Sequence, residues 1–229
     1  HIYLPISHFN LTFTLKQIGI KFMSFLSAFF YDNFMNATED ACLKDWRKDL
    51  LKNVTGKVLE IGAGTGSSID LYPDSPTLEV AFAEPDINMR AQLEEKIKLR
   101  NNDRFSVLSC SSENINSADE VFDFVFASLV LCSVHDIEAS LKEIKRVLKP
   151  NGSLVFLEHV AAEHNTSRRK WQNRLNPFWQ KIAANCHLNR QTENHIKNAD
   201  FIIKEIKHES MRKAMPLVRP TIRGIATKY

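Results

Sequence analysis

An apolar run, Val58-Leu59-Glu60-Ile61, breaks directly into Gly62-Ala63-Gly64-Thr65-Gly66, and no other stretch narrows the fold as far. Glycines have no Cβ, so they permit a tight turn and let a ligand approach the backbone closely. A short apolar run reads as a buried parallel strand. A helix is expected to follow the glycines and to stop before Pro73. Amides at such a helix start attract negative charge or oxygen ligands. The dinucleotide fingerprint would need glycine at 67, where the chain has Ser67, and no Gly-Lys-Ser/Thr follows as a Walker loop requires.

Strands and helices then alternate. Leu78 to Ala83, Arg104 to Leu108, Phe122 to Ala127 and Ser153 to Leu157 read as further strands. Asp86 and Asp136 stand where helix N-caps belong, followed by the stripes Met89-Leu93-Ile97 and Ile137-Leu141-Ile144-Leu148. Pro150-Asn151-Gly152 turns the chain. Upstream, Thr38-Glu39-Asp40 offers a helix start, with Leu43, Trp46 and Leu50 repeating at helical spacing beside Cys42. Ser167 to Ile182 is a Trp-rich helical stretch expected to kink or divide at Pro177. A further helix is expected over 191–199. Phe201 to Ile206 and Arg219 to Thr227 read as strands with no crossover helix between them, hence an antiparallel pair at the sheet edge. The alternation predicts a parallel sheet with helices on both faces.

Two features sharpen the ligand. Glu84 ends the second strand, roughly 20 residues past the glycines, where a carboxylate meets ribose hydroxyls. Ser111-Ser112-Glu113 follows the third strand, where an adenine ring would lie. The net charge of +3 is too small to imply a nucleic-acid partner, and no basic domain is present. Cys42, Cys110, Cys132 and Cys186 are scattered, with no Cys-x-x-Cys pair and no clustering with histidine at ligand spacing. Buried, reduced thiols in a cytoplasmic protein are expected, and no metal site. Residues 1–37 form an apolar segment, but Pro5, His8, Lys16, Gln17 and Lys21 leave no spanning run of about 18 apolar residues. Met23 reads as the natural start, which would make 1–22 foreign to the protein; a segment lying on a membrane surface is the alternative.

The loop from Glu60 to Gly66, the Glu84-Pro85-Asp86 turn, Ser112-Glu113, Phe122 to Phe126 and Leu148 to Gly152 resemble the class I S-adenosylmethionine-dependent methyltransferases. Leu129 to Val134, Glu158 to Glu163, Asn176 to Trp179, Cys186 to Arg190 and Leu217 to Pro220 are similar to the methyltransferase-like protein seven family, which includes thiol methyltransferases. Members of that family often carry aspartate where this chain has Glu84. The resemblance implies a Rossmann-like α/β domain over 38–229. Its sheet would have seven strands, mostly parallel with an antiparallel last strand, and 163–199 would be a helical lid. It implies S-adenosylmethionine as cofactor and S-adenosylhomocysteine as product. The cofactor would be held by Glu60, Gly62, Ala63, Gly64, Gly66, Glu84, Pro85, Ser112, Glu113, Ser128 and Leu129. The acceptor is expected to be a small hydrophobic molecule, an alkyl thiol first and a phospholipid or quinone second. A non-catalytic cofactor-binding interaction protein is the rival of another class. Of the neutral-range bases beyond the strand ends, His135 reads as the start of a surface helix and His159 as the candidate for catalysis. Arg168, Arg169, Lys170 and Arg174 form a basic helix face that could meet a membrane, and a monomer is expected.

Overall fold

Residues along the strands alternate between two apolar layers. Leu59, Ile61, Val125, Ala127, Leu154 and Phe156 enter one layer, where Ile137, Leu141 and Ile144 also lie. Val58, Phe126 and Val155 enter the other, with Leu51, Ile69 and Leu93. That alternation is the two-residue period of extended chain, and burial on both faces explains why the strands read as unbroken apolar runs. The computed structural model describes residues 37–228. The expectations for 1–22, for a start at Met23 and for the apolar segment up to residue 36 lie outside the described residues.

Seven strands form one sheet in the order β3-β2-β1-β4-β5-β7-β6. They are β1 Lys57–Ile61, β2 Glu79–Ala83, β3 Phe105–Leu108, β4 Phe122–Ser128, β5 Leu148–His159, β6 Phe201–Ser210 and β7 Pro220–Lys228. Pairs from β3 through β5 are parallel. β7 runs antiparallel, as the resemblance implied, and it is slotted between β5 and β6, pairing with both. Gly224 of β7 sits against the irregularity at Ile203/Glu205 of β6; a Cβ there would lie 2.1 Å from the Glu205 carbonyl oxygen. The turn expected at 150–152 is instead an irregular start to β5, with Asn151 at a left-handed φ of 64°.

A π-helical turn, Glu39–Leu43, runs into α1, Lys44–Leu51. The helices that follow are α2 Ile87–Arg100, α3 Ile137–Val147, α4 Ser167–Ile182 and α5 Thr192–Asn198. Asp86 caps α2 by accepting from the Asn88 and Met89 amides, and Asp136 caps α3 by accepting from the Ala139 amide. Four expectations are corrected. Thr38 is already helical and its side chain caps nothing. The first helical segment buries Cys42, Leu43, Arg47 and Leu51, while Trp46 and Leu50 are only half-buried, because Arg47 is drawn inward by polar partners. After the glycines there is only a 3-10 turn, Ile69–Leu71. Gly66 at φ +81° and two serines leave too few good helix formers before Pro73. Finally, α4 continues through Pro177 without dividing.

Candidate active site

The glycine loop leaves β1 in a left-handed conformation, with φ of 59° at Gly62, 57° at Gly64 and 81° at Gly66. A Cβ on Gly62 would lie 2.2 Å from the Val130 Cγ2, so the turn after β4 presses directly on the loop. Around Gly64 none of the described residues lies within 4 Å of the Cβ position, which leaves its backbone open to a ligand on their side. The Ala63 amide donates to the Ala83 carbonyl (3.1 Å), and the Gly64 amide donates to Glu84 Oε2 (2.8 Å). Glu84 is buried, and its Oε1 accepts from the Asp86 amide at 2.8 Å. Burial pushes its carboxyl above the usual range, against those two hydrogen bonds. Each oxygen keeps a lone pair for a further donor, which is what two ribose hydroxyls would require. Arg90 braces the turn by donating to the Glu84 and Pro85 carbonyls.

Glu60 points inward, beneath the loop. Its oxygens accept from the Ser68 hydroxyl (2.5 and 2.6 Å) and from the Tyr72 hydroxyl (2.8 Å). Burial pushes its carboxyl up to about 7. Beyond β3, Ser112 shares a hydrogen bond with Ser140 of α3 (2.9 Å), and Glu113 accepts from the His135 amide (3.0 Å). Burial raises the Glu113 carboxyl, but hydrogen bonds from its own backbone, Ser111 and the His135 amide outweigh it and hold the group low. At the end of β4, the Ser128 hydroxyl accepts from Arg47 Nε at 2.8 Å, and Leu129 turns at φ 58°. Arg47 also forms a bidentate pair with Glu39. The expected cofactor residues therefore gather beyond the C-terminal ends of β1 to β4, where ligands bind in open parallel sheets.

A second centre lies beyond β4 and β5, and sequence reasoning saw only one member of it. Glu158 is fully buried, with Oε1 accepting from the Val130 (3.0 Å) and Leu131 (2.8 Å) amides and Oε2 from the Cys132 amide (3.1 Å). Burial pushes this carboxyl to about 7 as well. Arg190 closes the same turn by donating to the Leu131 and Val134 carbonyls (2.7 and 2.8 Å). His159 Nε2 lies 2.8 Å from Cys186 Sγ, and its Nδ1 is buried without a partner among the described residues. Burial disfavours the charged ring, but Cys186 and Glu158 prevail and hold His159 above its ordinary value. The contact with Cys132 holds the Cys186 thiol low, with His159 helping, while the same contact and burial hold Cys132 high. The expectation that cysteine and histidine do not cluster is thus corrected, since Cys132 and Cys186 meet at His159, and Cys110 and Cys186 are only partly buried. The clustered residues lie far apart in the chain, with Cys186 lying 27 positions after His159, so local spacing could not reveal them. One signal was available. Glu60 and Glu158 each interrupt an otherwise apolar strand, and a carboxylate there must find donors inside.

Residues 59–156 match the family model of a methyltransferase domain. The chain is 36% identical over 173 residues to the human thiol S-methyltransferase TMT1A, covering 75% of this chain and 70% of that protein. It is 35% identical over 184 residues to the rat thiol S-methyltransferase TMT1B, covering 78% and 74% respectively. Among solved structures, geranyl diphosphate methyltransferase in complex with its S-adenosylmethionine cofactor shares the fold, with a TM-score of 0.65 at 11% identity over 81% of this chain and 84% of that one.

Proposed function

Since the chain belongs to the class I S-adenosylmethionine-dependent methyltransferases, in the family of the thiol S-methyltransferases it matches, we propose that its small acceptor is a hydrophobic thiol. The identity of 36% and 35% to two thiol S-methyltransferases, over 75% and 78% of this chain, carries this reading. The cofactor supplies a methyl group on a positively charged sulfur. Glu84 takes the ribose hydroxyls on its remaining lone pairs, and the open backbone at Gly64 lies along the cofactor. Gly62, Ala63, Gly66 and Pro85 shape that loop, and Glu60 supports it from within. Ser112 and Glu113 line the adenine end; Ser128 and Leu129 line the end nearest the acceptor. His159 is assigned to the acceptor end, where its ring and Cys186 set the charge that meets an incoming sulfur. A thiolate attacking a sulfonium cancels charge as it reacts, so an enclosed, poorly solvated site favours it. Val134 and Val160, both buried, flank that end.

Transfer of labelled methyl to a panel of alkyl thiols, quinols and phosphatidylethanolamine tests the proposal. Labelled thioether from the thiols is the expected result. Transfer to quinol or lipid with none to any thiol defeats it.

One further observation supports delivery of the acceptor from a lipid surface. Trp171, Leu175, Phe178 and Ile182 form one stripe of α4, exposed by 53, 37, 63 and 54%. Arg168, Arg169, Lys170 and Arg174 flank it. An apolar stripe beside a basic one suits peripheral contact with an anionic membrane. Among the described residues no helix is long and apolar enough to cross one. Co-sedimentation with anionic vesicles, lost in Trp171→Ser/Phe178→Ser, is the expected outcome; equal sedimentation of both proteins counts against the contact. In this reading 163–199 is a lid whose outer face meets lipid and whose inner face covers the acceptor.

A further inference from the structure

Cys132 follows β4, His159 ends β5 and Cys186 follows α4, yet their two sulfurs and a ring nitrogen all lie within 4.8 Å of one another. Thiols serving only as small hydrophobes need no polar company. These two are mounted on backbone that is locked together. The Cys132 amide is held by Glu158, its carbonyl accepts from the His187 amide (2.8 Å), and Asn185 Nδ2 donates to the Ser133 carbonyl (2.8 Å). The residues on either side of Cys186 are thereby tied to the turn that carries Cys132. Glu158 spends both oxygens on three amides and is not free to join as a ligand. Among the described residues the buried Nδ1 of His159 has no partner, so none of them fixes the ring's tautomer. Buried polar atoms left this way are rare.

We propose that Cys132, His159 and Cys186 bind a soft divalent cation of the zinc type, with a fourth position open to the sulfur of the acceptor. Two thiolates and an imidazole are the ligand types zinc selects, and three protein ligands leave the open position that catalytic zinc sites keep. A sulfur and a nitrogen on one tetrahedral zinc stand about 3.5 Å apart. The 2.8 Å contact between Cys186 and His159 is shorter, so an ion entering replaces that hydrogen bond and spreads the pair by less than about 1 Å. Cys132 is buried and Cys186 is partly exposed, so the open position faces the Cys186 side. Val130, two residues before Cys132, presses on Gly62 of the cofactor loop, which sets the cluster next to the methyl donor. The open position as an acceptor site rests on the thiol reading above; the cation site itself does not. On binding, the acceptor thiol releases its proton to water and ligates as thiolate. A sulfur lone pair then forms the new S–CH3 bond. The methyl–sulfonium bond breaks, its electron pair stays on the departing sulfur, and the neutral thioether, a weaker ligand, leaves the cation.

Titration of the metal-free, reduced protein with Co2+ tests both parts. One equivalent is expected, with a near-ultraviolet thiolate-to-cobalt band and tetrahedral visible bands, both displaced by Zn2+. Cys186→Ser, at the partly exposed position, is expected to weaken binding more than about 100-fold, and Cys110→Ser to leave it unchanged. Because Cys132 is buried and its variants could fail to fold, Zn2+ protection of Cys132 and Cys186 in the unaltered chain from maleimide, read by mass spectrometry, is the second measurement. Equal Co2+ binding by Cys186→Ser, or no stoichiometric binding together with no protection, overturns the cation site. An alkyl thiol, but not its methyl thioether, is expected to shift the visible bands. A cobalt protein blind to thiols, or full thiol methylation by metal-free protein, overturns the open position. Failure of the acceptor reading would look different: one equivalent of cobalt bound and no thiol methylated at all.

Discussion

Glu60 and Glu158 occupy matching places near the ends of β1 and β5, both buried, both pushed to about 7 by burial. What holds them differs. Glu60 is held by side-chain hydroxyls from nearby in the chain, Ser68 and Tyr72. Glu158 is held by three successive backbone amides from Val130, Leu131 and Cys132. Hydroxyls can rotate and act as donor or acceptor, whereas an amide only donates and cannot turn away. The surroundings of Glu60 can therefore adapt, whereas those of Glu158 are fixed donors. The difference also predicts where damage spreads: removing Glu158 strands three amides, while removing a hydroxyl below Glu60 strands little.

The sharpest way to break this contrast is Glu158→Ala, expected to cost about 3–5 kcal/mol in urea unfolding because several buried amides lose their partner. A loss no larger than that of Ser68→Ala would show the two ends to be alike. Next comes Glu84→Ala, which removes the carboxylate proposed to take both ribose hydroxyls and is expected to weaken cofactor binding by about 2–4 kcal/mol in calorimetric titration. Unchanged affinity would place the ribose elsewhere.

The third prediction concerns pH. The Glu60 carboxyl titrates near 4.5 when ordinary and at about 7 here. Between those values the unfolded chain is ionised while the folded one keeps its proton, so stability falls as pH rises through that window and levels off above it. Glu60 contributes a loss of about 2 kcal/mol between about pH 5.5 and pH 7.5, and Glu60→Gln should remove that share from the slope of unfolding midpoints. An unchanged slope would mean Glu60 ionises freely beneath the loop. The smallest effect is expected from Ser68→Ala, about 1 kcal/mol, since Tyr72 still serves the carboxyl.

The same contrast explains what could be read from the chain. The glycine turn, Glu84 and the caps Asp86 and Asp136 are local devices whose partners lie within a few residues or at a fixed offset, and the structure has each of those caps in use. The β6–β7 pair was legible because no helical segment separates the two strands. The helix after the glycines was misjudged because a ligand-loop pattern was extended past residues that do not favour helix. Arg47 was overlooked because its charge suggested solvent, whereas Glu39 and Ser128 draw it inside. Glu158, Arg190, Cys132 and Cys186 form a centre only through long-range contacts, and His159 alone was picked out, from its place at a strand end.

The slotting of β7 between β5 and β6 has a consequence for synthesis. β6 leaves the ribosome before β7, yet among the described residues its sheet neighbour is β7 and no other strand. Until β7 emerges, β6 lacks the strand it pairs with and β5 lacks its partner on that side. Lys204, Glu205, Lys207, His208 and Glu209 crowd the waiting strand with charge, which discourages pairing with strands of other nascent chains. The strand that emerges after β6 works as a keystone, and Gly224, set against the Glu205 carbonyl, is the point where that keystone has no room for a side chain.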